Sequence, residues 1–182
     1  MTPPTLRTWA KRGHTPLIKV RGRSQGRYSI AALTCYQRGE RSRLIYRTKR
    51  HTDHKQGGRR NFTRTEYRDL LIAAHQQLDG PIVLIWDNLN VHKDNRMRAF
   101  IDSTDWITVY YLPPYAPDLN PVEGIWSLLR RSSQANTAFT DPEHLIRALR
   151  HGLRQIQCRS DIIDGCLTET RLKLTTPHLQ AQ

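Results

Sequence analysis

Pro81-Ile-Val-Leu-Ile-Trp86 is a continuous apolar run, and Asp87 follows it directly. Gly80 and Pro81 interrupt regular structure just before the run, and uninterrupted large apolar side chains predict a strand buried on both faces of an α/β sheet. Asp87 then lies at the carboxyl end of that strand, where open α/β sheets form their ligand sites. The run therefore predicts a class of fold and one candidate site residue together.

A second stretch, Leu112-Pro-Pro-Tyr-Ala-Pro-Asp-Leu-Asn-Pro-Val-Glu123, predicts a stiff loop that ends in a helix. Each proline fixes its own φ, so the segment can form neither a helix interior nor a central strand. Asn120 is suited to be the N-cap and Pro121 the first helical residue. Glu123 falls in the first turn, beside an apolar stripe predicted to pack in the core, which comprises Val122, Ile125, Trp126 and Leu129.

Asp87 and Glu123 each have an ordinary structural explanation. An Asp-Asn pair after a strand commonly forms a turn, and a glutamate in a first helical turn interacts favourably with the helix dipole. Considered together, two carboxylates held by a strand end and a rigid loop predict ligands for a hard metal ion, which prefers oxygen donors.

The segment Asp87-Asn-Leu-Asn-Val-His92, followed by Leu112 to Trp126, resembles the catalytic core of DDE superfamily transposases of mariner-type bacterial insertion sequences. The spacing of 35 residues between residues 87 and 123 is similar to that between the second and third acidic residues of the family. Arg7-Thr-Trp-Ala-Lys-Arg-Gly-His-Thr-Pro16 also resembles a family segment, so the likeness covers roughly residues 5 to 132.

This resemblance implies an α/β, ribonuclease-H-like fold, a mixed sheet flanked by helices. It implies metal-dependent DNA cleavage and strand transfer at insertion-sequence ends, with two Mg²⁺ or Mn²⁺ ions. Asp87 would bridge the ions, and Glu123 would hold one of them. Asn88, Asn90 and His92 would orient ligands or the scissile phosphate, although an ordinary packing role is open for His92. The candidate DNA-phosphate contacts are Lys93, Arg130 and Arg131, and a solvated helix residue is an equally good explanation for Lys93 and Arg130. The implied partners are terminal inverted repeats and target DNA, and the family allows a homodimer.

The chain departs from the family pattern at its start. The family places its first catalytic aspartate on a strand just upstream of the segment that contains Trp9, and no acidic residue of this chain takes that place. In such transposases a helix-turn-helix DNA-binding region precedes the catalytic core, and we expect this chain to lack it. We therefore expect an N-terminally truncated catalytic domain that is inactive as given, unless an upstream-encoded part completes it. The alternatives are a non-catalytic basic DNA-binding remnant and a metal-dependent nuclease of the same fold.

Composition agrees with one soluble domain over residues 1–182. The net charge of +13 favours a polyanionic partner, although solubility or genome composition would also explain it. Three cysteines form no zinc or disulfide pattern, and neither a signal sequence nor a membrane-length apolar run is present. The expected location is the cytoplasm, in association with the nucleoid.

The remaining patterns predict the order of elements. Tyr28–Tyr36 and Arg43–Thr48 form a hairpin, Thr63–Leu78 forms a helix with a Thr63/Glu66 capping box, and the basic loop of residues 49–61 is exposed. A short helix over Lys93–Ile101 and a strand over Trp106–Tyr110 follow. A helix begins with a capping box at Thr140 and continues to about Ile156. A helical tail follows it, up to residue 182. Because a central strand is missing, we expect the isolated chain to be poorly stable or prone to associate.

Overall fold

The computed structural model describes residues 11–14, 27–51, 61–132, 134, 135, 137, 139 and 141–174. The strands are β1 (Arg27–Cys35), β2 (Arg43–His51), β3 (Ile82–Trp86) and β4 (Ile107–Tyr111). The helices are α1 (Arg64–Leu78), α2 (Asn95–Asp102), α3 (Pro121–Ser132), α4 (Pro142–Gln157) and α5 (Ser160–Glu169), with a 3₁₀ turn at Pro117–Leu119. Within the described residues, no helix is both long and apolar enough to span a bilayer.

Strands β1 and β2 form the predicted antiparallel hairpin, which pairs Arg27 with His51 and Cys35 with Arg43. Side chains alternate between its two faces, as the strand period requires. One face, which includes Ala31 and Ile45, packs on α1. The other, which includes Leu44, packs on α3, α4 and α5. The hairpin therefore has helices on both faces.

Strands β3 and β4 form a separate parallel ladder, which pairs Ile82 with Ile107 and Trp86 with Tyr111. Leu84, Trp86 and Ile107 are buried with Leu71 of α1 and Met97 of α2. The expectation that β3 is buried on both faces is wrong, because the side chains of Val83 and Ile85 are 67% and 54% exposed. Helices α1 and α2 cover one face only, and no described residue buries the other.

Helices α3, α4 and α5 form the largest buried cluster with the hairpin. Ile125 and Leu129 of α3 are fully buried there, and Trp126 packs against the same cluster, as the apolar stripe predicted. Gly124 lies where α3 meets α5, since a Cβ built on it would be 2.9 Å from Cys166 Sγ. This packing fixes the helix that carries Glu123.

The local signals in the sequence locate most helix starts. Thr63 and Glu66 form the predicted capping box of α1. The N-cap of α4 is Asp141, whose carboxylate accepts from the His144 amide at 2.7 Å, so the cap predicted at Thr140 is wrong. Short helix α2 begins two residues later than predicted. The prediction that the basic loop begins at residue 49 is wrong, because β2 continues to His51; residues 52–60 of that loop lie outside the described residues, as does most of the segment from Arg7 to Pro16.

Candidate active site

Asp87 follows β3 and presents a carboxylate whose side chain is 52% exposed. Its Oδ1 accepts from the Leu89 amide at 3.1 Å and lies 2.8 Å from Nδ1 of His92. The contact with His92, aided by the Leu89 bond, holds the pKa of Asp87 below its usual value, although partial burial opposes this. Asp87 is therefore an ionised carboxylate at neutral pH, the form that binds cations.

His92 is buried, with only 4% of its surface exposed. Its ring stacks on Trp86 at a centroid distance of 3.8 Å and meets the edge of Tyr67 at 4.8 Å. Nδ1 is close to Asp87, but the ring N–H is not aligned for a directed hydrogen bond, and neither ring nitrogen has such a partner within the described residues. The contact with Asp87 is therefore electrostatic. The aromatic packing fixes the ring beside the carboxylate.

Asn88 connects the end of β3 with the proline-rich loop. Its Nδ2 donates to the Leu112 carbonyl at 2.5 Å, and the Leu112 amide donates to the Trp86 carbonyl at 2.7 Å. These two bonds extend the β3–β4 pairing one residue beyond the strands. The loop that leads to Glu123 is therefore anchored directly beside Asp87.

The loop from Leu112 to Asn120 ends in the predicted helix start. The Val122 amide donates to Oδ1 of Asn120 at 3.2 Å, and α3 begins at Pro121. Glu123 lies in the first turn and is exposed to solvent. The predicted helix start is thus confirmed, and it leaves Glu123 in an exposed first turn.

Glu123 opens into a cleft of about 760 Å³ between α3, α5 and the 3₁₀ turn. Acidic and basic side chains line it together, and they include Asp118, Arg130, Glu169 and Arg171. Glu169 and Arg171 were missed by the sequence reasoning. They lie more than 45 positions from Glu123 in the chain, and only the packing of α5 on α3 brings them close.

The predicted site residues are only partly brought together. Asp87 meets His92, and Asn88 reaches the loop, whereas no hydrogen bond or ion pair links Asp87 to Glu123. Lys93 lies over the ring of Tyr111 at 5.8 Å, and Arg130 lines the cleft with Glu123. Asn90 and Arg131 are exposed. Across the described part of the chain, no group of three or more His, Cys, Asp or Glu residues is arranged to hold a metal ion.

A comparison with known protein families shows to which family the chain belongs. The family described as DDE superfamily endonuclease matches residues 2–146. The chain belongs to this family. The match includes both Asp87 and Glu123, and it confirms the resemblance that the proline-rich stretch carries. The strand that precedes Asp87 and the helix start that precedes Glu123 are thus both part of a DDE endonuclease domain.

Two curated proteins are similar to this DDE endonuclease chain. An uncharacterized protein, y4pE/y4sA, of Sinorhizobium fredii is 34% identical over 64 residues, which cover 35% of this chain and 44% of that protein. The IS630 insertion element's uncharacterized 39 kDa protein of Shigella sonnei is 28% identical over 75 residues, 41% of this chain and 22% of that protein. The matches span less than half of either relative.

Solved structures confirm the fold. The crystal structure of the Mos1 mariner paired end complex with Mn is similar at a TM-score of 0.53 and 13% identity. The likeness covers 93% of this chain and 52% of that one. At this level of identity the comparison shows the fold alone, and it confirms the predicted ribonuclease-H-like α/β class.

Proposed function

We propose that this chain supplies Asp87 and Glu123 as metal ligands in a transposase catalytic domain that cleaves and joins DNA at insertion-sequence ends. The observation that carries the proposal is the ionised, exposed carboxylate of Asp87 at the end of β3, braced by His92. Membership of the DDE endonuclease family and the similarity to an insertion-element protein support it.

The donor chemistry fits Mg²⁺ or Mn²⁺. Both side chains offer carboxylate oxygens and both are exposed, although Oδ1 of Asp87 also lies 2.8 Å from buried His92. Mg²⁺ commonly uses one or two carboxylates together with water and substrate phosphates. Two carboxylates can therefore hold an ion in part, and a third, supplied outside the described residues, would complete the set that the family resemblance implies.

When bound, divalent ions would activate the attacking water or hydroxyl and stabilise the leaving oxygen of a phosphodiester. The residues of the chain do the remaining work. His92 contacts the Asp87 carboxylate at 2.8 Å and favours its ionised form, and Asn88 fixes the loop relative to β3. Arg130, in the cleft of Glu123, would contact a DNA phosphate, and exposed Lys93 and Arg131 would add positive charge.

Metal binding is the first test, because it needs neither DNA nor activity. Tb³⁺ luminescence reports the site through Trp86, which directly precedes Asp87. We expect Tb³⁺ emission from the purified chain that Mn²⁺ and Mg²⁺ displace. Asp87→Asn and Glu123→Gln should each weaken Tb³⁺ binding by about tenfold or more, since each removes a charged ligand.

Asp102→Asn is the matched control, because Asp102 is an exposed acid at the end of α2. It should leave Tb³⁺ binding unchanged. Equal emission from the wild-type chain and from both site variants would contradict the proposed metal ligands.

DNA assays separate the proposed transposase part from the alternatives. With two carboxylates in place of three, we expect the pure chain to bind DNA and metal but not to join DNA ends. Mg²⁺-dependent joining of inverted-repeat DNA would overturn that expectation. Equal cutting of unrelated DNA would favour a general nuclease. DNA binding that Asp87→Asn leaves unchanged, in a chain that binds no Tb³⁺, would favour a non-catalytic basic remnant.

A further inference from the structure

Tyr115 is the most exposed large apolar side chain in the described part of the chain, with a relative exposure of 103%. No described residue makes a hydrogen bond or ring contact with its side chain. It lies between Pro114 and Ala116 in the loop that joins β4 to α3. An aromatic ring held entirely in solvent gains nothing from packing, so the structure of the free chain does not explain its place.

The backbone of Tyr115 is strained. Its φ is +59°, in the left-handed region that crowds the Cβ of any residue other than glycine. The other described non-glycine residues with positive φ are Asp79, which is the C-cap of α1, and Arg171, which directly follows the C-cap of α5. Left-handed residues are ordinary at helix ends. Tyr115 ends no helix, and backbone strain of this kind tends to occur at binding sites.

The loop holds this strained tyrosine in a fixed place. Pro113, Pro114 and Pro117 restrict the backbone on either side of it. The loop begins at Leu112, whose carbonyl is bonded to Asn88, and ends at Asn120, which caps the helix of Glu123. Tyr115 is therefore carried on the segment that connects the two candidate metal ligands.

Basic side chains are found near the β4 end of the loop and on the helix that follows it. The chain carries a net charge of +13, exposed Lys93 lies over Tyr111 at the end of β4, and Arg130 lies in the cleft of Glu123 among both acidic and basic side chains. Proteins that bind unpaired nucleic acid combine such positive charge with exposed aromatic rings on which bases stack. An apolar peptide partner would instead require a contiguous apolar patch, whereas the immediate neighbours of Tyr115 are prolines and a small alanine.

We propose that Tyr115 is a stacking platform for one unpaired DNA base next to the phosphodiester that the Asp87 and Glu123 region processes. The inference rests on the proposed function, and it adds a base contact that neither carboxylate provides. A rigid ring presented in advance loses little conformational entropy when a base stacks on it. Tyr115 thereby favours DNA that is unpaired at this point over a closed duplex.

The test compares two DNAs by fluorescence anisotropy in Mg²⁺-containing buffer: a blunt 20-base-pair duplex, and the same duplex with a five-nucleotide single-stranded extension. The first unpaired base is 2-aminopurine, whose fluorescence falls when it stacks. We expect the chain to bind the extended DNA more tightly than the blunt duplex and to quench the probe. Tyr115→Ala should weaken binding of the extended DNA about tenfold and abolish quenching, with little effect on the duplex.

Two further variants show whether the ring itself acts. Tyr115→Phe keeps the aromatic face and should retain both the preference and the quenching. Tyr115→Gly removes the ring and relieves the strained backbone, so it should lose the preference while its Tm rises by about 2–4 °C. Tyr110→Ala is the matched control, because Tyr110 is 60% exposed on β4, and it should behave like the wild type.

The stacking proposal is overturned if Tyr115→Ala still binds the extended DNA more tightly than the duplex, or if 2-aminopurine is still quenched without the ring. It is also overturned if Tyr110→Ala weakens binding of the extended DNA as much as Tyr115→Ala does. It is overturned too if the wild type binds both DNAs equally, a result that leaves the proposed metal site intact. The Tb³⁺ measurement contains no DNA. A wild-type chain that gives no Tb³⁺ emission would therefore contradict the proposed function independently of the stacking proposal. Absence of binding to both DNAs would contradict both proposals.

Discussion

Gly124 of α3 packs directly against Cys166 of α5. A Cβ on Gly124 would lie 2.9 Å from the Sγ of Cys166 and 3.1 Å from its Cβ, closer than packed carbons approach. The contact joins the helix that carries Glu123 to the helix that ends beside the cleft. The position of Glu123 therefore depends on an approach that only glycine permits.

Gly124→Ala should destabilise the chain by about 1–2 kcal/mol. Overpacking at the helix contact costs about 1–3 kcal/mol, and the better helix propensity of alanine offsets up to about 1 kcal/mol of it. Gly165→Ala is the control, since nothing lies within 4 Å of a Cβ there, and it should stabilise α5 by up to about 1 kcal/mol. Urea unfolding of both variants provides the comparison, and equal effects would contradict the proposed close packing.

His92→Phe should separate bracing of Asp87 from core packing. Phenylalanine keeps an aromatic ring against Trp86 and removes two buried nitrogens that lack aligned partners, so stability should change by less than about 1 kcal/mol. Tb³⁺ affinity should fall about tenfold, because the contact that orients Asp87 is lost. The pKa of Asp87, followed by NMR, should rise. Unchanged affinity and pKa would show that His92 only packs.

Glu66 should make the free energy of unfolding depend on pH in the acidic range. Burial raises its pKa, but the bonds from Lys49 and Thr63 outweigh that effect and hold the pKa below the ordinary 4.5. A depressed pKa stabilises the fold above pH 4.5, and this contribution is lost as the pH falls through the folded-state value. Because Glu66 is about a third exposed, the contribution is about 0.5 kcal/mol.

Glu66→Gln keeps a capping-box side chain and removes the charge. We expect the variant to unfold at lower urea than the wild type at pH 7 and at nearly the same urea at pH 3. Exposed Glu40→Gln, in the hairpin turn, controls for the change in net charge. A constant difference between the two pH values for Glu66→Gln would be inconsistent with the lowered pKa.

The three cysteines should differ in reactivity. Cys158 is exposed, burial raises the pKa of Cys35 to about 11, and burial also raises the pKa of Cys166. Because the thiolate is the reactive form, iodoacetamide at pH 8 should modify Cys158 at least about tenfold faster than the other two. Peptide mass spectrometry measures the rates. In urea the three rates should converge, and similar rates in the native chain would refute the partial burial of Cys35 and the burial of Cys166.

The exposed face of β3 bears on the expectation that the chain is prone to associate. Val83 and Ile85 together present an apolar surface that the described residues leave uncovered. Replacing both with threonine keeps the strand propensity of a β-branched residue and should raise the concentration at which sedimentation shows aggregates. A wild-type chain that sediments as a monodisperse species and melts cooperatively would contradict the expectation.

Local chemistry made much of the fold predictable. The apolar run before Asp87, the Thr63 capping box and the Asn120-Pro121 helix start are short-range signals, and each is found where the sequence placed it. The positions of the two candidate carboxylates could be predicted because neighbouring residues indicate both a strand end and a rigid loop. Such features depend on only a few consecutive side chains.

Other features depend on contacts that sequence patterns do not encode. A continuous apolar strand gives no sign of which face a helix will cover, so the exposure of Val83 and Ile85 was missed. The contact of His92 with Asp87 spans a turn with no periodicity, and Glu169 reaches the cleft only through helix packing. A left-handed Tyr115 could not be expected, because propensity disfavours it there.

The bond from Asn88 to the Leu112 carbonyl has a consequence for the rate of the proposed DNA binding. A loop fastened at its base and stiffened by prolines is ordered before any ligand arrives, so little ordering has to follow the first encounter. Association should then be governed by diffusion and charge, with a rate that falls steeply as salt is added. Asn88→Ala would convert this rapid docking into a slower two-step process, visible as a second phase in stopped-flow records.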